Sequence, residues 1–170
     1  MTSREHPLSF AGVRDAQALA AMSRDLIEVG LGWEYRRERI ARMIGDADTV
    51  TLVARDMLRI AGFAAMTFAD ERAHLVLLAV RPSHQRRGIA RRLVDWLVES
   101  AMTAGIASIH VELRASNVAA FAFYRAAGFA ETLRVPGYYR GRETAVRMIR
   151  MRRVPGAATQ PWRPPTLDCR

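Results

Sequence analysis

Apolar positions along the chain recur with two different periods, and the switches between them mark out the elements. Residues 8–13 (LSFAGV) alternate weakly and predict a short first strand. Over 14–29, Ala18, Leu19, Met22, Leu26 and Val29 fall at helical spacing, closed by Gly30, and a second helix is expected over 34–44, ended by Gly45. TVTLVARD (49–56) and RIAGFAAMTFAD (59–70) read as an antiparallel hairpin. HLVLLAV (74–80) is a continuous apolar run stopped by Arg81 and Pro82, as expected of a central strand covered on both faces. The period then turns helical over 88–103, where Ile89, Leu93, Trp96, Leu97 and Ser100 share a side and Gly105 closes.

SIHVELR (108–114) alternates strictly, with Ile109, Val111 and Leu113 on one face and Ser108, His110 and Glu112 on the other. A last helix follows, capped by Ser116 or Asn117 and ended by Gly128. A sixth strand near 129–135, a loop PGYYRGR and a seventh strand near 144–151 complete the order. The pattern predicts a mixed α/β sheet with helices on both faces. Beyond Arg153, residues 154–170 carry four of the seven prolines and no periodicity, so they are read as a flexible tail.

At 170 residues and half hydrophobic, the chain has the size of one domain with a real core, and is too apolar for disorder. Its net charge of +9 comes with arginine as the basic residue throughout and no lysine, which excludes a lysine-bearing phosphate loop while keeping bidentate phosphate contacts open. The single cysteine, Cys169, excludes a disulfide framework or zinc knuckle, and the four histidines are dispersed along the chain, so no metal is expected. The start of the chain lacks a secretory apolar core and no apolar run is long enough for a membrane span, so a cytoplasmic protein without membrane contact is expected.

One stretch concentrates chemistry. HQRRGIARRL (84–93) lies where the apolar central strand ends and a helix begins. Gly88 lets backbone approach a ligand, and the first-turn N–H groups of the following helix are free donors backed by a helix dipole. That is a pyrophosphate site, with Arg86 and Arg87 adding charge at its rim; the bland alternative is a solvated basic turn.

Neighbouring windows favour the first reading. Gln85, Arg86, Arg87, Gly88, Ile89 and Ala90 match the loop pattern (Q or R, two residues, G, one residue, G or A) of the GNAT superfamily of N-acetyltransferases, and AVRP precedes them. Asn117, Tyr124 seven positions on, and Gly128–Phe129 extend the likeness, so the chain resembles that family over about 8–153. The resemblance implies a mostly antiparallel sheet of about seven strands flanked by about four helices, splayed between the fourth and fifth strands. It also implies acetyl-CoA as co-substrate, with its pyrophosphate on the N–H groups of Arg86, Arg87, Gly88, Ile89, Ala90 and Arg91. The pantetheine arm would pair with Leu78, Ala79 and Val80, and Asn117 would both cap its helix and touch CoA.

Within the superfamily the chain is most similar to bacterial acetyltransferases of ribosomal-protein N-termini. Those enzymes use a glutamate five positions before the motif asparagine as general base and a tyrosine seven after it as general acid, which here are Glu112 and Tyr124. A carboxylate with a pKa of about 4 matches an α-amine of about 8 poorly, so relay through water or a raised value is expected, with His110 in reserve. The N–H of Val80 is the candidate donor to the thioester oxygen.

On the acceptor side the resemblance implies that Tyr138 and Tyr139 line a peptide's entry and that Trp33 forms the opposite wall. The ribosomal-protein enzymes are expected to carry a proline before that tryptophan, where this chain has Gly32, so a small-molecule amine stands beside a peptide N-terminus as acceptor. A non-catalytic acyl-CoA-binding domain is a further alternative. A nucleic-acid module is disfavoured, because Leu93, Trp96 and Leu97 make one face of the 88–103 helix core and the arginines cluster at its start. Monomer and homodimer both stay open.

Overall fold

The structure, a computed structural model, describes residues 6–153; the expected tail and Cys169 lie outside the described residues. Seven strands form one sheet: β1 (Leu8–Phe10), β2 (Thr49–Asp56), β3 (Arg59–Ala69), β4 (Arg72–Val80), β5 (Ser108–Arg114), β6 (Ala130–Tyr139) and β7 (Glu143–Met151), in the order β1-β2-β3-β4-β5-β7-β6. Neighbours run antiparallel except β4 and β5, which are parallel. The helices are α1 (Ala16–Leu26), α2 (Arg37–Gly45), α3 (Ile89–Thr103) and α4 (Val118–Ala126). This is the mixed, mostly antiparallel architecture that the periodicity and the motif resemblance predict.

Two cores sandwich the sheet. Leu19, Met22 and Ile40 of α1 and α2 pack on Val53, Phe63 and Leu77, whereas Ile89, Leu93 and Leu97 of α3 pack on Leu52, Ala64 and Leu75, with Tyr124 of α4 in the same cluster. The change of side between Leu75 and Leu77 has a local cause. Across β3, Ala65 pairs with Leu77 but Met66 pairs with Leu75, so Val76 is an extra residue, a β-bulge that reverses which alternate positions face which core. The continuous apolar run of β4 therefore serves both faces.

The splay follows at the same point. The β4–β5 ladder runs from Arg72↔Ser108 to Leu75↔Val111, and β5 continues along β7 through Arg114↔Ala145. Past Leu75, β4 has β3 on one side and an open edge on the other.

Three expectations need correcting. The second helix, expected from 34, begins only at Arg37, while its end falls at Gly45 as expected, the backbone turning extended at Asp46. Trp96 is 37 % exposed, packed edge-on against Phe10, and the buried stripe of α3 is instead Ile89, Leu93, Val94, Leu97, Val98 and Ala101. Residues 136–139, expected in a loop, belong to β6, where a register shift between Val135 and Tyr139 lets the strand run on to the turn. The choice of cap for α4 is resolved to Asn117, whose Oδ1 accepts from the Ala120 N–H at 3.0 Å.

Gly62 on β3 permits the close seating of α3. A Cβ there would lie 3.0 Å from Val80 Cγ2, 3.1 Å from the Ala79 carbonyl oxygen and 3.1 Å from Ile89 Cγ2. Gly62→Ala should therefore cost about 1–3 kcal/mol in urea denaturation. Gly45→Ala, with open space around it, should hold or raise stability by up to about 1 kcal/mol. Equal midpoints for the two variants would remove this role for Gly62.

Candidate active site

The open edge of β4 carries directed backbone groups. Arg81 N–H donates to the Ala61 carbonyl at 2.8 Å, so that pair is hydrogen-bonded across the β3–β4 ladder and the next pairs, Gly62↔Val80 and Ala64↔Leu78, fall at alternate, non-bonded positions. The N–H and C=O of Leu78 and Val80 consequently point away from β3, toward the gap. Gln85 Nε2 donates to the Val80 carbonyl at 3.1 Å, which occupies that acceptor and leaves the Val80 N–H facing the cleft.

This cleft, about 520 Å³, is lined by Leu78, Ala79, Val80, His84, Gln85, Arg86, Gly88, Ile89, Ala90 and Arg91, with Ala119, Ala120, Phe123 and Tyr124 of α4 opposite. Two left-handed residues shape its loop: Arg86 at φ 61° and Gly88 at φ 77°, the latter being the N-cap of α3. A Cβ on Gly88 would meet nothing within 4 Å, so the protein's own packing does not demand glycine there. The backbone angle does, and the vacant space lies where first-turn N–H groups have no helical partner. The donor set and the space suit a phosphate-bearing group.

The arginines of the motif divide. Arg91 Nε pairs with Asp95 at 2.8 Å while its Nη1 donates to the Ala126 carbonyl at 3.2 Å, joining α3 to the end of α4. Arg92 Nη1 donates to the His6 carbonyl at 2.9 Å. Arg87 is exposed and does not line the cleft, and Asn117, engaged in capping α4, does not line it either. Alignment by motif could not reveal either placement, nor the small Ala119 and Ala120 that form the facing wall.

Tyr124 is buried, its ring edge-on to Phe123 at 5.2 Å and to Phe129 at 5.5 Å. Burial pushes its phenol far above the ordinary value of 10, so the hydroxyl keeps its proton.

A second cleft, about 480 Å³, opens on the α1–α2 side of the sheet. Its walls include Glu28, Gly32, Glu34 and Tyr35, then His74, Val76 and Leu77 of β4, and Glu112, Tyr138, Tyr139 and Arg140. Leu77 borders this cleft and Leu78 the first, so β4 alone separates them at that point. Glu112 faces Arg147 across the β5–β7 ladder, Oε2 accepting from Nε at 2.7 Å. Hydrogen bonding to Glu112 raises the Tyr138 phenol above its usual range. Tyr139, edge-on to Tyr138 at 5.1 Å, is pushed up to about 12, by burial first and then by the Glu112 charge.

Trp33 is not in this wall. It packs against the α1–α2 core, with the guanidiniums of Arg24 and Arg36 5.3 and 5.5 Å from its ring centroid, and Gly32 lines the cleft in its place. Glu28, which sequence reading passed over, organises the connection: Oε1 accepts from the Glu34 N–H at 2.7 Å and Oε2 from the Ser23 hydroxyl at 2.9 Å. His74 was also missed. It is the cross-strand partner of His110 and borders the second cleft, which His110 does not; the latter's Nε2 bonds Ser108 Oγ at 2.9 Å. Burial lowers both imidazoles below the usual value of 6.5. Only the parallel register could have shown the pairing.

Comparison with known proteins accords with this geometry. Residues 18–129 match the family model described as acetyltransferase (GNAT) family. Over 93 residues the chain is 39% identical to the [ribosomal protein bS18]-alanine N-acetyltransferase of Salmonella typhimurium, a match covering 53% of this chain and 63% of that enzyme. The crystal structure of the ribosomal-protein-S18-alanine N-acetyltransferase from Escherichia coli superposes with a TM-score of 0.71 at 28% identity, covering 85% of this chain and 92% of that one. Arabidopsis thaliana NAA60, solved in complex with acetyl-CoA, shares the fold with a TM-score of 0.75 at 17% identity, over 85% of this chain and 97% of that one. With a matched segment spanning most of the sheet, both cores and the Gly88 loop, this chain belongs to the GNAT family of acetyltransferases.

Proposed function

We propose that the protein transfers the acetyl group of acetyl-CoA directly to a primary amine, with the N-terminal amine of a protein or peptide as its acceptor. The observation that carries this reading is the open edge of β4: its free Val80 N–H lies in the cleft that ends at the Gly88 loop, and the Glu112 cleft lies just across the strand. Acetyl-CoA supplies the activated thioester carbon. The N–H groups of 88–91 hold its phosphates, and Leu78 and Val80 hold its pantetheine arm as an added strand would be held.

Val80 N–H donates to the thioester oxygen as charge gathers there. Glu112 accepts the proton lost by the attacking amine through a water, with the neutral imidazole of His74 on the same cleft wall as the second acceptor in the relay. Tyr124 donates to the departing sulfur. A phenol held so high does not surrender its proton fully to a thiolate, whose conjugate acid lies near 8.5, so its work is as a hydrogen-bond donor while the bond to carbon breaks. Glu28, Glu34 and Glu112 around the second cleft favour a single cationic terminus, and the tyrosine pair, its rings edge to face, gives an incoming peptide an aromatic wall.

Acetyl-CoA should raise the thermal midpoint of the full chain, and free thiol should appear faster with alanine-started peptides than with polyamines or aminoglycosides. Absence of any stabilisation by acetyl-CoA would sink this reading, and faster turnover on a small amine would move the acceptor to that class. Tyr124→Phe and Glu112→Gln should each lower kcat about a hundredfold or more while leaving the Kd for acetyl-CoA within a few-fold; equal loss of both quantities would contradict their roles. For cofactor affinity the order should be reversed by position. Gly88→Glu, which strains φ 77° and sets an anion at the phosphate site, should weaken acetyl-CoA binding more than Arg92→Ala, whose guanidinium is tied to the His6 carbonyl. The opposite order in calorimetry would make the stretch a simple cationic surface.

A further inference from the structure

We propose that His6, Asp56 and His84 form a binding site for one divalent transition-metal ion of the zinc class, held by two imidazole nitrogens and a carboxylate oxygen. The three residues come from distant parts of the chain: the approach to β1, the end of β2, and the short 3₁₀ turn Pro82–His84 that leads into the Gly88 loop. The expectation that the histidines stay dispersed is corrected here. The fold sets the rings of His6 and His84 edge to face with centroids 5.4 Å apart.

One ligand atom from each residue lies within 4.8 Å of the other two, a span that a tetrahedral ion can close with modest side-chain movement. His84 Nε2 is already 2.9 Å from Asp56 Oδ2, and His84 Nδ1 meets the Ser83 hydroxyl at 2.8 Å. The Ser83 contact fixes the ring and leaves Nε2 as the nitrogen directed at the cluster, the outer-shell arrangement typical of metal-binding histidines.

His6 supplies the independent indication. It is only 4 % exposed, yet its Nε2 has no hydrogen-bond partner, although buried imidazole nitrogens ordinarily find one. A histidine–aspartate pair serving structure alone would leave that nitrogen without a partner, whereas a metal ion would give it one. The backbone around His6 is held in advance by Arg92 Nη1 on its carbonyl, at 2.9 Å, and by Arg55 N–H on the Pro7 carbonyl, at 3.1 Å. The side chains of His84 and Asp56 are 16% and 28% exposed, so the cluster has one wet side where a water can complete four-fold coordination. Two imidazoles with one carboxylate favour zinc or a neighbouring transition ion over magnesium or calcium, which prefer oxygen. The ion takes the place of any proton shared between His84 and Asp56, and that proton goes to solvent.

The test uses the full chain, stripped with a chelator and titrated with Zn²⁺ alone in calorimetry, with Co²⁺ absorption as a spectroscopic report. One ion per chain, a raised thermal midpoint and visible ligand-field bands are expected. His6→Phe, Asp56→Asn and His84→Gln should each weaken binding by about tenfold or more and shrink the gap between zinc-loaded and zinc-free midpoints, while Cys169→Ser should leave both unchanged. Should one variant fail to fold, the other two carry the same reading. No binding, binding indifferent to all three substitutions, or binding lost with Cys169→Ser would each overturn the site.

Discussion

The parting of β4 from β5 is the constraint on which the rest depends. Four residue pairs join the strands, and after Leu75↔Val111 they diverge because β4 absorbs the extra residue Val76 while β5 stays in register with β7. An open strand edge inside a sheet would ordinarily invite collapse or pairing with another chain. Here the bulge itself prevents collapse, since it sends Leu75 into the α3–α4 core and Leu77 into the α1–α2 core. Pinned from both sides, β4 holds the N–H and C=O of Leu78 and Val80 in place with no protein partner strand. A preorganised edge of this kind offers an extended ligand hydrogen bonds without further ordering of the backbone.

The basic charge is arranged differently from what its total suggests. Arg114 Nη2 donates to the carbonyls of Ile27 and Val29 just beyond α1, Arg150 Nη1 to Ala127 after α4, and Arg81 Nε to Ile60. With Arg91 on Ala126, three guanidiniums close carbonyl ends that a helix leaves without partners. The planar, many-donored fork suits that work, and in a chain without lysine it falls to arginine. Many of the positive charges are thus structural clamps. The loop at Gly88 relies instead on backbone donors, which carry direction as well as partial charge.

Element order, the sheet class and the Gly88 loop were legible because each rests on a local signal: a period of two or 3.6, a cap, or a glycine at a left-handed turn. Trp96 was misread because an aromatic ring at the border of a helical stripe satisfies the pattern from either side, and packing against Phe10 decides it. Trp33 was placed in the cleft wall for a related reason: position in a loop does not say which way a side chain turns, and this one packs against the α1–α2 core beside the Arg24 and Arg36 guanidiniums. The Arg147 partner of Glu112 and the His74 partner of His110 depend on inter-strand register. His6 and His84 meet only through the tertiary fold, so no spacing rule could join them.

The two proposed reacting groups sit on opposite faces of the sheet. Glu112 projects to the α1–α2 side beside Arg147 and Tyr138, whereas Tyr124 lies among Phe123, Phe129 and the α3–α4 core. This separation matters for proton bookkeeping. Glu112 already meets Arg147 and the Tyr138 phenol on its own face, whereas Tyr124 packs edge-on against Phe123 and Phe129 in the dry core. Divided by β4 and β5, the Tyr124 phenol is held protonated by burial while Glu112 pairs with the Arg147 guanidinium, and a thioester in the gap between the strands could face both. The same splay that opens the β4 edge therefore keeps the Glu112 carboxylate and the Tyr124 hydroxyl on opposite sides of the sheet.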